Sequence, residues 1–299
     1  MDDSKILLEK PQVVGFAPAT AAADQVDFIY AYEKASRPAS GNSVPMNFRH
    51  ALSQIVFQAQ NLNKNIYVAI EEVKVGNVAK TGTFTFPVID DETTDNLDKP
   101  HDQTGTRKEN GIGSWAWDST TDLAVYTTGN FGAKGVKQEG TPSSPIVNLT
   151  NNTSEDKADG TGTIGYDKSL LLIPTPTAAT TATTAWAPAT ETIANTKGTY
   201  FAVRCKIWNL AKGDGKTNQT GDVVLWDNGT TGSEKYIYIP AQFEWEQGKK
   251  YIYTFKFTEN GHGGYTEEGK DVLIPIEFTV TVDDFAVGST NEIDVDQKF

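Results

Sequence analysis

The chain has 299 residues, a length that suits roughly two domains of ~100–200 residues. Its 26 Lys and Arg stand against 39 Asp and Glu, and the formal charge of −13 repels phosphate backbones and anionic lipid, which argues against nucleic acid as a partner. A single cysteine, Cys205, leaves no intrachain disulfide, and no apolar run approaches the ~18 residues of a membrane-spanning helix.

Taken from the N-terminus, the pattern predicts strand after strand. Residues 1–10 lack the basic stretch, apolar core and cleavage site of a secretory leader. The abundance of Thr, Ser, Asn and Gly leans instead to an exported β protein whose leader is not in this sequence. Val26–Tyr32 reads as a first mixed strand. Val44–His50 alternates, and Ile55–Ala59 resumes in the other phase, so a bulge or corner is expected near Leu52 and Ser53. Phe48–Gln60 also fits a helical period, but Pro45 and the β-rich flanks favour strands. Ile66–Val75 is a longer strand, and Thr83–Pro87 ends another. Residues 90–113 are polar and aperiodic, as in a long exposed loop. Ser114–Tyr126, with Trp115, Trp117 and Val125, predicts two short strands. Residues 150–166 are polar and Gly-rich, and they mark an expected boundary between a domain at 1–166 and one at 167–299.

The second half opens on Leu170–Pro174, a short buried strand. Thr175–Thr190 is rich in Thr, Ala and Pro, reads as a connector, and carries a lone Trp186. Phe201, Val203, Cys205 and Ile207 alternate with more polar neighbours. Lys212–Gly221 is a turn-rich insertion. Val223–Trp226, Tyr236–Ile239, Lys250–Phe257 and Val272–Val282 complete the set. In the last two, Tyr251, Tyr253, Phe255 and Phe257, then Ile274, Ile276, Phe278, Val280 and Val282, recur at every second position, which places each row on one face of a strand. Strands at this spacing, with Gly and Asn in the turns, predict an all-β protein of two antiparallel sandwiches in tandem. No repeat of about 20–50 residues suggests a solenoid or propeller.

Four segments, in order, resemble the fimbrillin-like pilin and fimbrial adhesin family of Bacteroides-type bacteria. They are Gln25–Ala31; Val44–Phe57, with Phe48, His50, Ala51, Leu52 and Ser53; Tyr238–Pro240 followed by Trp245–Phe255; and Gly263–Tyr265 followed by Pro275–Phe285. The resemblance implies two transthyretin-like β-sandwich domains and a subunit of a surface pilus, exported as an outer-membrane lipoprotein. It also implies joining to other pilin subunits by strand exchange after a protease has cut behind an arginine. The early arginines are Arg37, which precedes Pro38, and Arg49, inside a predicted strand. The other reading is a cell-surface β-sandwich that binds glycan, or a host or bacterial surface protein.

Candidate chemistry is sparse. His50 lies in phase with Phe48 and Met46, so a structural role outweighs that of a catalytic base; His101 and His262 fall in polar loops. Cys205 shares a face with Val203 and Ile207 and reads as core. Neither Asp90–Asp98 nor Lys212–Asp222 has the ligand order of a calcium loop, so no metal and no cofactor are expected. Asp283 and Asp284 read as strand-end residues, and no enzyme activity is expected. Ile293, Val295 and Phe299 form a terminal stretch that either closes its own sandwich or serves as a donor strand. Trp186, then Trp117 and Trp226, are the aromatics expected to contact a ligand, since flat indole faces stack on sugar rings.

Overall fold

The computed structural model describes residues 11–31, 48–87, 112–138, 145–150, 168–175, 183–212, 220–259, 263–284 and 293–295. Within them the chain is all-β, with a 3-10 turn at Ala22–Asp24 as its one helical element. The first strands are β1 (Gln12–Phe16), β2 (Ile29–Tyr30), β3 (Arg49–His50), β4 (Ser53–Asn61), β5 (Ile66–Ala79), β6 (Gly82–Thr85) and β7 (Ser114–Trp117). Then come β8 (Leu123–Thr127), β9 (Lys134–Val136), β10 (Val147–Asn148), β11 (Leu170–Leu172), β12 (Tyr200–Asn209), β13 (Val223–Trp226) and β14 (Gly229–Thr230). The last are β15 (Ser233–Glu234), β16 (Ile237–Pro240), β17 (Lys249–Phe257), β18 (Gly263–Tyr265), β19 (Asp271–Asp284) and β20 (Ile293–Val295).

One large sheet runs β10-β4-β17-β19-β18-β16-β12-β5-β8. It folds over on itself through β19. The start of β19 pairs with β18, and from Ile276 onward it pairs with β17. Pro275 stands at the switch, a position where a residue without an N–H is tolerated. The inner faces then meet. Phe201 of β12 packs against Phe57 of β4 at 5.7 Å, Tyr253 and Phe255 of β17 at 4.8 and 5.5 Å, and Phe278 of β19 at 5.3 Å between ring centroids. The alternating rows of β12, β17 and β19 supply this core, together with Ile55 and Ala59 of β4 and Val68, Ile70 and Val73 of β5.

A smaller sheet, β1-β6-β7, covers a second cluster built on Phe84, Trp115, Leu52 and Tyr30. Trp115 Nε1 donates to the Ala51 carbonyl at 2.6 Å, and the Gly113 N–H donates to the Tyr30 hydroxyl at 3.0 Å. Two indole and phenol groups therefore enter an apolar cluster with their polar ends satisfied.

The pairing differs from the sequence reading in three places. β4 runs parallel to β17, from Gln54 beside Lys250 to Asn61 beside Phe257, whereas the strands were all expected to be antiparallel. Parallel neighbours need a long crossover, and the chain between Asn61 and Lys249 supplies one. The expected division at 166/167 coincides with no break in pairing: β4 lies on β17 and β5 lies on β12, so strands from both sides of that point share one core. Residues 151–167 themselves lie outside the described residues, as do Val44–Met46 and most of the 90–113 loop. Finally, the strand expected at Val26–Tyr32 is reduced to Ile29–Tyr30, and Val26 is 78% exposed.

β5 carries a bulge where its register on β8 slips between Val75 and Val78. Asn77 sits there at φ 61°, the one non-glycine residue described with a left-handed backbone. Its neighbour Gly76 lies under the Tyr200 ring, and a Cβ at that position would come within 2.0 Å of Tyr200 Cζ.

Phe201→Ala removes the ring that touches four inner-face aromatics and should destabilise the fold by about 3–5 kcal/mol, read as a lower denaturant midpoint with an unchanged slope. Val224→Ser, at an exposed site, should leave the midpoint within about 0.5 kcal/mol of the parent. Equal midpoints for Phe201→Ala and the parent would refute this core.

Burial holds the phenols of Tyr126, Tyr238 and Tyr253 in the neutral form above their ordinary range, and it pushes Tyr251 up to about 12. The unfolded chain loses these protons from about pH 10, the folded chain later. Between the two values the unfolded state binds fewer protons, so unfolding free energy falls as pH rises, whereas below pH 10 these groups add no slope. Chemical denaturation across this alkaline range should show the fall, with the Tyr126 and Tyr253 rings, followed by their own NMR signals, ionising together with unfolding. Ionisation of either ring in a still-folded chain would contradict the burial.

Candidate functional site: sheet edges and an open cleft

Two edges of the large sheet are available to another strand. At one, β20 pairs with β19 through Val295 opposite Val280, Asp294 opposite Thr281, and Ile293 opposite Val282. Among the described residues, three thus line this side of a strand of fourteen whose start pairs with β18. On its other side β17 pairs with β19 continuously from Ile276 to Asp284. Phe299 lies outside the described residues. At the second edge, β13 pairs with β12, and it leaves Val223, Val224 and Leu225 exposed by 56, 44 and 49%. Three consecutive exposed apolar residues on an edge strand are what natural sheets usually avoid unless the edge is used.

A cleft of about 430 Å³ opens where the β5 bulge, the end of β7 and the segment 183–199 meet. The Asn77 amide fixes that segment, because its Nδ2 donates to the Thr196 carbonyl at 3.1 Å and to the Gly198 carbonyl at 2.8 Å. The Thr199 N–H donates to the Thr184 carbonyl at 2.7 Å, and the Trp186 N–H donates to the Thr199 carbonyl at 3.0 Å. Gly198 permits this crossing, since a Cβ on it would lie 2.5 Å from the Trp186 backbone. Glu191 Oε2 accepts a hydrogen bond from the Thr196 hydroxyl at 3.0 Å. Lys197, exposed at the rim, has no ion-pair partner among the described residues.

The three tryptophans expected to meet ligand occupy different surroundings. Trp186 is 2% exposed; Tyr200, Tyr238 and Tyr265 meet it edge-on at 6.3, 6.1 and 5.7 Å, and its Nε1 donates to the Glu191 carbonyl at 3.3 Å. The segment read as a connector is therefore anchored by a small aromatic cluster. Trp117 is half-buried and lines the cleft, with its Nε1 donating to the Pro174 carbonyl at 2.9 Å. Trp226 is half-buried against the main core, opposite Ile207, and its buried Nε1 has no hydrogen-bond partner among the described residues.

The remaining candidates are dispersed. His50 Nδ1 and Asp27 Oδ2 share a hydrogen bond of 2.6 Å that ties β3 to the segment ahead of β2. Cys205 is buried, and burial raises its thiol well above the ordinary range, which suppresses the thiolate. Asp283 pairs with Lys250 at 2.9 Å across β17 and β19. Asp222 caps Ala211 N–H at 2.9 Å. Among the described residues no three His, Cys, Asp or Glu side chains gather as metal ligands. His101, His262 and Asp90–Asp98 lie outside the described residues. Asn77, Glu191 and Lys197 escaped the sequence reading. The signal for the first is Gly76-Asn77 inside an otherwise alternating strand, the composition of a bulge.

Asn77→Asp keeps the shape at the bulge but sets a carboxylate against two carbonyls. It should loosen segment 183–199 and cost about 2–3 kcal/mol. Amide exchange at Trp186 and Thr199 should speed up while the β12–β5 ladder stays protected; unchanged protection of both amides would rule out the tethering role.

The chain matches the fimbrillin-like family model over residues 9–282. No curated protein matches it. Among solved structures it is similar to a fimbrial protein from Bacteroides vulgatus, with 12% identity and a TM-score of 0.37, covering 81% of this chain and 56% of that one. It is also similar to a candidate cell adhesion protein from Bacteroides uniformis, with 12% identity and a TM-score of 0.33, covering 93% and 68% of the respective chains. The chain thus spans little more than half the length of the first of these structures. The family match, rather than these distant structures, carries the assignment: the chain belongs to the fimbrillin-like family.

Proposed function

We propose that this chain is a structural or adhesive subunit of a bacterial surface pilus, exported to the cell surface, that joins other pilin subunits by β-strand complementation. Family membership supports the pilus reading. The observation that carries the mode of joining is the cover on β19, where, among the described residues, three of β20 pair with a fourteen-residue strand. A longer or better-fitting strand from a neighbour satisfies more N–H and C=O groups at the same edge and buries alternate side chains, so exchange is downhill once β20 lifts away. β20 then becomes available to the next subunit. The core does not depend on it, since Ile276, Phe278 and Val280 already pack against β12 and β17.

No catalysis is needed in this scheme. The glycan-binding alternative, in its form centred on Trp186, predicts loss of sugar binding in Trp186→Ala, but that indole is covered by tyrosines and offers no open face.

The test is removal of residues 291–299. The shortened chain should remain a folded monomer, with its denaturant midpoint shifted only slightly, should form no polymers by itself under assembly conditions, and, mixed with full-length subunits, should cap and shorten theirs, because its β19 edge still accepts a strand. Polymers of normal length from the shortened chain would eliminate the donor role for Ile293 and Val295.

A further inference from the structure

We infer that the cleft beside Trp117 is a binding site for one or two pyranose rings of a neutral glycan. This goes beyond the assembly reading and stands or falls apart from it. The cleft lies against β5, β7 and the 183–199 segment, away from the β19 edge.

The argument begins with the indole. Trp117 is fixed by its Nε1 bond to the Pro174 carbonyl. That bond uses the only donor the side chain has, so what remains toward the cleft is apolar ring surface. Leu123 extends this apolar side. The same lining carries hydroxyl, carboxylate and ammonium groups: Thr120 and Thr184, which are exposed, Glu191, whose second carboxylate oxygen has no hydrogen bond among the described residues, and Lys197. A lining that combines apolar ring surface with mixed donors and acceptors matches a pyranose, which has a C–H face and a perimeter of hydroxyls. Acyl chains need apolar surface on both sides. Phosphorylated ligands meet a chain with a net charge of −13. A volume of about 430 Å³ lies in the ordinary range of small-ligand pockets and holds one or two such rings.

The second observation is the rigidity of the floor. Asn77 is held at φ 61° by two hydrogen bonds, and such an outlier persists where surrounding contacts fix it. Beneath the rim, Trp186 anchors the segment in its tyrosine cluster. The segment that carries Thr184, Glu191 and Lys197 is therefore preorganised, which reduces the ordering cost of binding a weak, heavily hydrated ligand. Trp186 serves the site as its foundation and Trp117 as its contact surface.

The experiment is a titration of the full chain, followed by the indole N–H signals in proton–nitrogen correlation spectra, with D-mannose, D-galactose, N-acetyl-D-glucosamine and maltose as probes. The Trp117 signal is assigned by its loss in Trp117→Phe. The expected result is a saturable shift of that signal, and of the amides of residues 183–199, with at least one probe at millimolar concentration. Glu191→Ala and Thr184→Val lie at the rim and leave the core untouched; each should weaken the affinity roughly ten-fold. If Trp117→Phe fails to fold, its signal is assigned through its contact with Pro174, and the two rim variants carry the test. No shift with any of the four probes, or shifts unaltered by both rim variants, would overturn the site.

Discussion

The rest of the structure depends on the packing of Phe201 against rings contributed by β4, β17 and β19. Phe201 lies on β12, and its partners Phe57, Tyr253, Phe255 and Phe278 belong to the opposite layer. Burial of such a ring is worth roughly 1.5–3 kcal/mol, and each well-placed aromatic pair adds ~0.5–1.5 kcal/mol. No intrachain disulfide holds the two layers together, since Cys205 is the single cysteine. They are one sheet doubled over at β19, and the aromatic rows keep it closed. This also explains why β4 is able to lie parallel to β17: the inner face sets its place, and a one-residue slip would turn Ile55, Phe57 and Ala59 away from the core.

With the core settled by strands distant in sequence, the margins of the sheet are left to other uses. β20 and β13 are marginal strands, one covering little of its neighbour and the other exposing apolar residues. β13 reaches the main core only through the half-buried Trp226. A sheet that loses β20 gives up a few ladder bonds and keeps its aromatic interlock. Reversible exposure of one edge is therefore compatible with a stable body, the combination that joining by strand exchange requires.

Much of this was legible in the sequence because a period of two survives wherever one face is buried. The rows at Phe201–Ile207, Tyr251–Phe257 and Ile274–Val282 are inner-face rows of β12, β17 and β19. Their partners were not legible, since alternation specifies which side of a strand is buried and says nothing about its neighbour. Strand pairing across the expected boundary, β5 on β12 and β4 on β17, depends on volume complementarity among side chains far apart in the chain. β1, β9 and β10 went unpredicted because short strands carry too few alternations to stand out. For the cleft, Trp117 was legible as an aromatic in a short strand. Its companions were not, because Asn77, Glu191 and Lys197 converge through a bulge and a Thr-rich segment that has no period.

Trp186 brings the two scales together. By composition it stood alone among Thr, Ala and Pro, and a lone indole in such a stretch suggests a contact surface. Its three tyrosine neighbours come from β12, β16 and β18, all on the layer whose inner face carries Phe201. Tyr200 faces outward where Phe201 faces inward, as successive residues of a strand must. The same strand that closes the core on one side thus anchors the 183–199 segment on the other. The cleft is consequently tied to the interior through one peptide unit, and its geometry inherits the rigidity of β12 rather than the freedom of a surface loop.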